Sequence, residues 1–181
     1  HIMTVMIGGG DIYSDDHVTL SGDGARFDAD AAYLGRNSQT IDYNIVADHF
    51  GKKTESLITV NGALTDSAKK VFRGTIDFKK GSADSVGSEN ETVLMLGDDV
   101  VNKTVPLILC AEENVEGTHG ATIGELDADT MFYFESRGID RETAERIMAY
   151  AAVERLIHMA EDGEFAAEAE KAMGIKTDTE E

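Results

Sequence analysis

Among the side chains able to do chemistry, one histidine stands in a setting of its own. His119 lies in Gly117-Thr118-His119-Gly120-Ala121-Thr122, where small residues on both sides leave the imidazole uncrowded. A histidine so placed is structural more often than not, but beside glycines its ring can reach a partner chain or a metal ion. His17, His49 and His158 stand apart, without the paired spacing or neighbouring cysteines of a zinc site, and read as ordinary surface or half-buried histidines. The one cysteine, Cys110, ends an apolar run, which favours a buried structural thiol over a reactive or ligating one.

Other motifs carry less. Ile7-Gly8-Gly9-Gly10-Asp11 is glycine-rich but lacks the spacing of a phosphate-binding fingerprint and leads into no helix, so it reads as a turn. Ser21-Gly22-Asp23-Gly24 and Asp28-Ala29-Asp30 miss the ligand positions of a calcium loop and also read as turns. No serine is flanked as in Gly-x-Ser-x-Gly, which leaves hydrolase chemistry without a foothold.

The elements that would hold these residues change character along the chain. From Val5 to Cys110, short β-favouring runs alternate with clusters of Gly, Asn, Asp and Ser. Expected strands are Val18–Leu20, Ala31–Leu34, Ile41–Val46, Ser56–Val60, Lys70–Arg73, Thr75–Phe78, Thr92–Leu96 and Val105–Cys110. Ile41-Asp42-Tyr43-Asn44-Ile45 and Thr75-Ile76-Asp77-Phe78 place apolar side chains on one face only, as a half-buried strand requires. Pro106 favours an edge or a strand start. A sandwich, a barrel or a solenoid would all fit, and no strict repeat singles out the last.

After Gly124 the pattern turns helical. Asp127 can cap Ala128–Arg137, Gly138 supplies a left-handed stop with Ile139 after it, and Asp140 can cap a second helix. In that helix Ala144, Met148, Ala152, Leu156 and Met159 recur on one face. Phe165, Ala169 and Met173 continue a weaker helical stripe. The expected division is residues 1–3 as a cloning remnant, 4–124 as the β core, 125–175 as a helical segment and 176–181 as a disordered acidic tail.

The totals bound the function class. The chain has 181 residues, enough for one core, with 41% hydrophobic and 7% aromatic residues. Its 35 Asp and Glu against 16 Lys and Arg leave a formal charge of −19, which repels phosphate backbones and anionic lipid, so neither nucleic acid nor a membrane is expected as a partner. The longest apolar runs, Val93–Leu96 and Val105–Cys110, fall far short of the roughly 20 residues of a spanning helix. One cysteine excludes an internal disulfide, and with no charged-then-apolar leader the expected setting is the reducing cytoplasm.

A longer pattern then comes into view. The run Thr118-His119-Gly120-Ala121-Thr122-Ile123-Gly124-Glu125-Leu126-Asp127, followed by Met131-Phe132-Tyr133-Phe134-Glu135-Ser136-Arg137-Gly138-Ile139, resembles the SufB/SufD family of iron–sulfur cluster assembly scaffolds. The similarity continues upstream through Gln39–Asp42, Asp48-His49, Val71–Gly74 and Leu94–Asp98. Gly120 after the histidine, and Glu91 where the SufB pattern has a cysteine, make the chain SufD-like. Gly117 stands where SufD sequences often carry a cysteine, and Cys110 matches no family position, so no thiolate ligand is expected from this chain.

The resemblance implies a mainly β fold, a right-handed parallel β-helix (β-solenoid) followed by a short helical C-terminal segment. It implies a non-enzymatic scaffold subunit that pairs with a SufB-like paralogue through the β-helix ends and docks a SufC-type ABC ATPase through its helices, at Phe132, Tyr133, Arg137 and Gly138. His119 would be the metal-binding residue at that junction, meeting iron or an iron–sulfur cluster only transiently, with no stably bound cofactor. Two rivals are a β-helix carbohydrate-active enzyme using Asp42 or Asp77, and a self-associating module, such as a homodimer of this chain, with no metal role.

Overall fold

The computed structural model describes residues 1–174. The expectation of a disordered tail at 176–181 lies outside the described residues.

Among the described residues, nine strands wind into a parallel β-solenoid of about four turns, and three helices follow. In order they are β1 (Ile2–Ile7), β2 (Ile12–Leu20), β3 (Arg26–Gly35), β4 (Thr40–His49), β5 (Glu55–Thr65), β6 (Lys69–Phe78), β7 (Ser85–Leu96), β8 (Val101–Cys110) and β9 (Val115–Gly124), then α1 (Ala128–Ser136), α2 (Arg141–Met159) and α3 (Gly163–Met173). Odd strands stack as one five-stranded sheet, β1-β3-β5-β7-β9, and even strands as a four-stranded sheet, β2-β4-β6-β8. Consecutive strands therefore alternate between two facing walls.

All pairings are parallel, so a residue sits beside its counterpart one coil away with both side chains on the same face. Arg26 pairs with Glu55, Glu55 with Val86, and Ser85 with Val115, steps of 29, 31 and 30 residues. The step drifts with the turns, and the amino-acid types are not repeated, which is why no strict repeat shows in the sequence. Only the in–out alternation is kept from coil to coil.

Inward positions form the main core. Phe27, Tyr43, Ile45, Ile58, Val60, Phe72, Ile76 and Phe78 are buried there, with Tyr43 and Phe72 stacked at 5.7 Å between ring centroids. Bulk on one strand is matched by its absence on the next: a Cβ at Gly62 would lie 2.4 Å from the ring of Tyr33, its register partner on β3. Gly74 does the same for Glu89, whose carboxylate occupies the space a side chain there would need. Gly74 also separates two of the expected strands, which the structure joins into the single strand β6.

Several other expectations are corrected. Asp28-Ala29-Asp30 is not a turn but part of β3, with Ala29 inward and buried. His49 is fully buried, its ring nitrogens 2.7 Å from Thr54 Oγ1 and 2.9 Å from Ser56 Oγ, and burial holds its pKa down to about 4. Cys110 is exposed, because the strand it ends belongs to the last coil and no described strand is stacked over it. Pro106 does lie on an edge strand, where a missing amide donor costs no ladder bond.

The helices lie along the outside of the five-stranded sheet. Asp127, Asp140 and Asp162 cap α1, α2 and α3 by accepting from backbone amides near each start. Helix α2 packs on β3 and β5, seating Ala149, Val153, Leu156 and Ile157 against Ala32, Leu34, Ala63 and Leu96. The buried stripe is thus rotated from the expected one: Met159 is exposed and Met148 only half-buried. Ala169 and Met173 of α3 join this second cluster, and the Arg36 guanidinium donates to the carbonyls of Ala172 and Met173, pairing a cation with the negative end of the helix. No helix among the described residues is long and apolar enough to cross a membrane.

The glycine–tyrosine fit is open to test. Gly62→Ala should destabilise the chain by about 1–3 kcal/mol, the usual cost of overpacking, because the Tyr33 ring must leave its seat. Denaturant unfolding of the variant reads this directly, and a midpoint equal to wild type would contradict the fit.

Candidate functional site

His119 sits in the middle of β9, the final strand of the five-stranded sheet. That segment is not among the expected strands, because Gly117, Gly120 and Gly124, with Glu116 and Ala121, weaken the β-forming tendency of its Val, Thr and Ile residues. It is a strand here because β7 templates it, residue by residue, from Ser85↔Val115 to Leu94↔Gly124.

The direction of the His119 side chain follows from the alternation. A Cβ at Gly117 would meet Ile108 and Phe78 of the interior, so residues 117, 119 and 121 all face the inner wall. In the coils below, such positions are sealed. In the last coil they are not: His119, Ala121 and Ile123 are exposed, Ile123 at 54%. The imidazole therefore stands on the interior wall of the solenoid at its open end.

Beneath it lies a buried charged cluster. Glu89, the register partner of His119, is 2% exposed, and Glu91 likewise points inward. Lys70 forms an ion pair with Glu91 and its Nζ lies 3.1 Å from Thr104 Oγ1, which also bonds Glu91. Burial lowers the Lys70 pKa, opposed by the neighbouring carboxylates. Removing the lysine would strand Glu91 without a counter-charge, a loss of about 3–5 kcal/mol for buried pairs. Glu89 has no hydrogen-bond partner among the described residues, and burial together with the Glu91 charge pushes its pKa up to about 7. Sequence patterning passed over this cluster, since Glu89-Asn90-Glu91 looks like a solvated acidic run.

Other expected site residues lie elsewhere. Phe132 and Tyr133 on α1 are exposed, at 72% and 53%, and the Arg137 guanidinium rests 4.6 Å from the Tyr133 ring centroid. Gly138 takes the left-handed conformation, φ 77°, that ends α1. The structure thus gathers these four at one helix end, separate from His119 on its strand. Asp42 is ion-paired with Arg73, and Asp77 with Lys79. Among the described residues no three His, Cys, Asp or Glu side chains cluster so as to hold a metal ion by themselves.

The family model described as SUF system FeS cluster assembly, SufBD core domain, matches residues 1–152. The chain belongs to the SufB/SufD family. Among its relatives, the iron–sulfur cluster assembly protein SufD of Bacillus subtilis is 33% identical over 141 residues, covering 78% of this chain and 32% of that protein. The chloroplastic SufBD family protein ABCI8 of Arabidopsis thaliana is 27% identical over 159 residues, covering 88% of this chain and 28% of its own length. SufD of Escherichia coli is 28% identical over 99 residues, 55% of this chain and 23% of that protein. The chain thus spans about a third or less of the length of these SufBD relatives, and the matched stretch includes both the solenoid and the start of the helical segment.

The buried acid of this SufBD chain has a pH signature. Its folded pKa is raised from 4.5 to about 7, so its stabilising contribution is full below about pH 4.5 and is lost as pH rises through 7. Glu89→Gln should therefore flatten the stability profile between pH 4.5 and 7 and leave the variant more stable than wild type above pH 7, by up to about 3 kcal/mol. Urea unfolding at pH 5 and pH 8 measures the difference; parallel profiles for the two proteins would show that Glu89 is not buried as described.

Proposed function

We propose that this chain is a SufD-like scaffold segment of the SUF iron–sulfur cluster assembly machinery, pairing end to end with a SufB-like subunit and presenting His119 to iron or a nascent cluster at the junction. The observation that carries this reading is the placement of His119 on an edge strand, on the inner wall, at an end of the solenoid that none of the described residues covers. A ligand in that position is incomplete alone and is completed by whatever caps the end. Neutral imidazole suits iron, and a site divided between two chains can open and close as they shift.

The edge itself supports pairing. Along one side, β8 and β9 present backbone groups with no neighbouring strand among the described residues, the arrangement that recruits another chain. The outward positions of β8 add Val105, Leu107 and Leu109, apolar and 41–51% exposed. A second copy of this chain could use the same edge, which is the homodimer reading. The aromatic end of α1, with Phe132, Tyr133 and Arg137, is the surface proposed to dock the SufC-type ATPase, because large exposed aromatics beside a guanidinium are typical interface anchors. The metal or cluster is cargo in this scheme, the chain itself is not an enzyme, and the setting is cytoplasmic. The carbohydrate-enzyme reading calls for Asp beside Arg or Lys, as Asp42 with Arg73 and Asp77 with Lys79 are, and turnover of an acidic polysaccharide lost on changing Asp42 or Asp77 would favour it over the scaffold.

Co-expression with SufB- and SufC-like partners tests the scheme. His119→Ala should leave the complex intact and lower cluster formation at least tenfold, while Phe132→Ser with Tyr133→Ser should release the ATPase and spare the SufB-like contact. Unchanged cluster formation by His119→Ala would remove the metal role, and absence of any co-purifying partner would remove the scaffold role.

A further inference from the structure

Two inward carboxylates lie in the coil below His119, and they differ in what holds them. Glu91 has the Lys70 ammonium and the Thr104 hydroxyl. Glu89 is as deeply buried, at 2% exposed, yet has no hydrogen-bond or ion-pair partner among the described residues. An unpaired buried carboxylate is costly to keep, and proteins retain one chiefly where a cation or a donor arrives.

Its place says from which side such a cation would come. Glu89 and His119 are register partners on adjacent parallel strands, so their backbones stand roughly 4.8 Å apart and both side chains leave from the same inner face. Gly117 and Ala121, the inward neighbours of His119 along β9, add almost no bulk above Glu89. Across the interior, Gly74 leaves the notch that holds the carboxylate: a Cβ there would lie 2.0 Å from Oε2. Glu89 is thus held in the Gly74 notch one coil beneath the exposed His119, with only small inward residues beside that histidine on β9.

We propose that Glu89 is a second metal ligand supplied by this chain, acting with His119 from one coil below, with the remaining ligands contributed by the partner that caps the solenoid. The proposal rests on the reading of His119 as a metal ligand and deepens it from one donor to two. An imidazole and a carboxylate on neighbouring strands form a mixed nitrogen and oxygen pair suited to divalent first-row metals such as iron(II). Two ligands from one chain also fix the ion against the inner wall, where a single exposed histidine would leave it free to swing. Lys70 bonds Glu91 and acts on Glu89 only through space, so the Glu89 oxygens keep their bonding capacity for an incoming ion.

Zinc(II) alone, titrated into the 181-residue chain and followed on the His119 ring resonances by NMR, isolates this site from the other histidines. Wild type should show a saturable His119 shift. Glu89→Gln should weaken the same titration about tenfold or more, the scale on which loss of a group at a metal site reads, while melting no lower than wild type at pH 8. A Glu89→Gln titration that superimposes on wild type would overturn Glu89 as a ligand and leave His119 standing. A wild-type His119 signal that ignores zinc would overturn both.

Discussion

In a parallel solenoid each coil is the template and the lid of its neighbour, and a terminal coil has only half of that support. Everything specific to this chain follows from how it treats its last coil. In the interior coils, inward residues interlock: Tyr33 fills the space over Gly62, Glu89 the space over Gly74, and His49 finds two hydroxyls. In the last coil the same inward positions hold His119, Ala121 and Ile123, and these are exposed. A histidine on the inner wall is then both positioned by the fold and accessible to what lies beyond it.

The outer helices leave this end free. Their packing energy goes into the flank of the five-stranded sheet, where α2 sits on β3 and β5 and α3 is fastened by Arg36. They stabilise the stack without capping it, and they hold the aromatic turn of α1 out in solvent. Two candidate contact surfaces result, one built on a sheet edge and one on a helix end, joined by the short stretch between β9 and α1.

How much of this was legible beforehand depends on which physical signal each residue carries. The strands with alternating apolar residues, such as Ile41–Val46 and Thr75–Phe78, and the Asp-capped helices were plain, because burial and capping leave local marks. Strand β9 was not, since its conformation comes from pairing to β7 and its own residues are small and polar. Gly74 falls between two expected strands and is an inward notch within β6; Glu89 and Glu91 precede the expected strand Thr92–Leu96 and are interior, which their charge alone does not reveal. The arrangement of strands as a solenoid came only through resemblance, because a step of 29 to 31 residues that drifts from coil to coil leaves no fixed period. His119 stands out in the sequence by its small neighbours, and only the register shows that a buried carboxylate is its partner on β7.

The central claim is that the open end formed by β8 and β9 is the surface that meets the second subunit. Amide hydrogen exchange of this chain, alone and with a SufB-like partner, tests it most directly. Slowed exchange concentrated in Val101–Cys110 and Val115–Gly124 on adding the partner is the predicted result. Protection confined to β1 and β2 at the opposite end, or to the flank covered by α2, would contradict it.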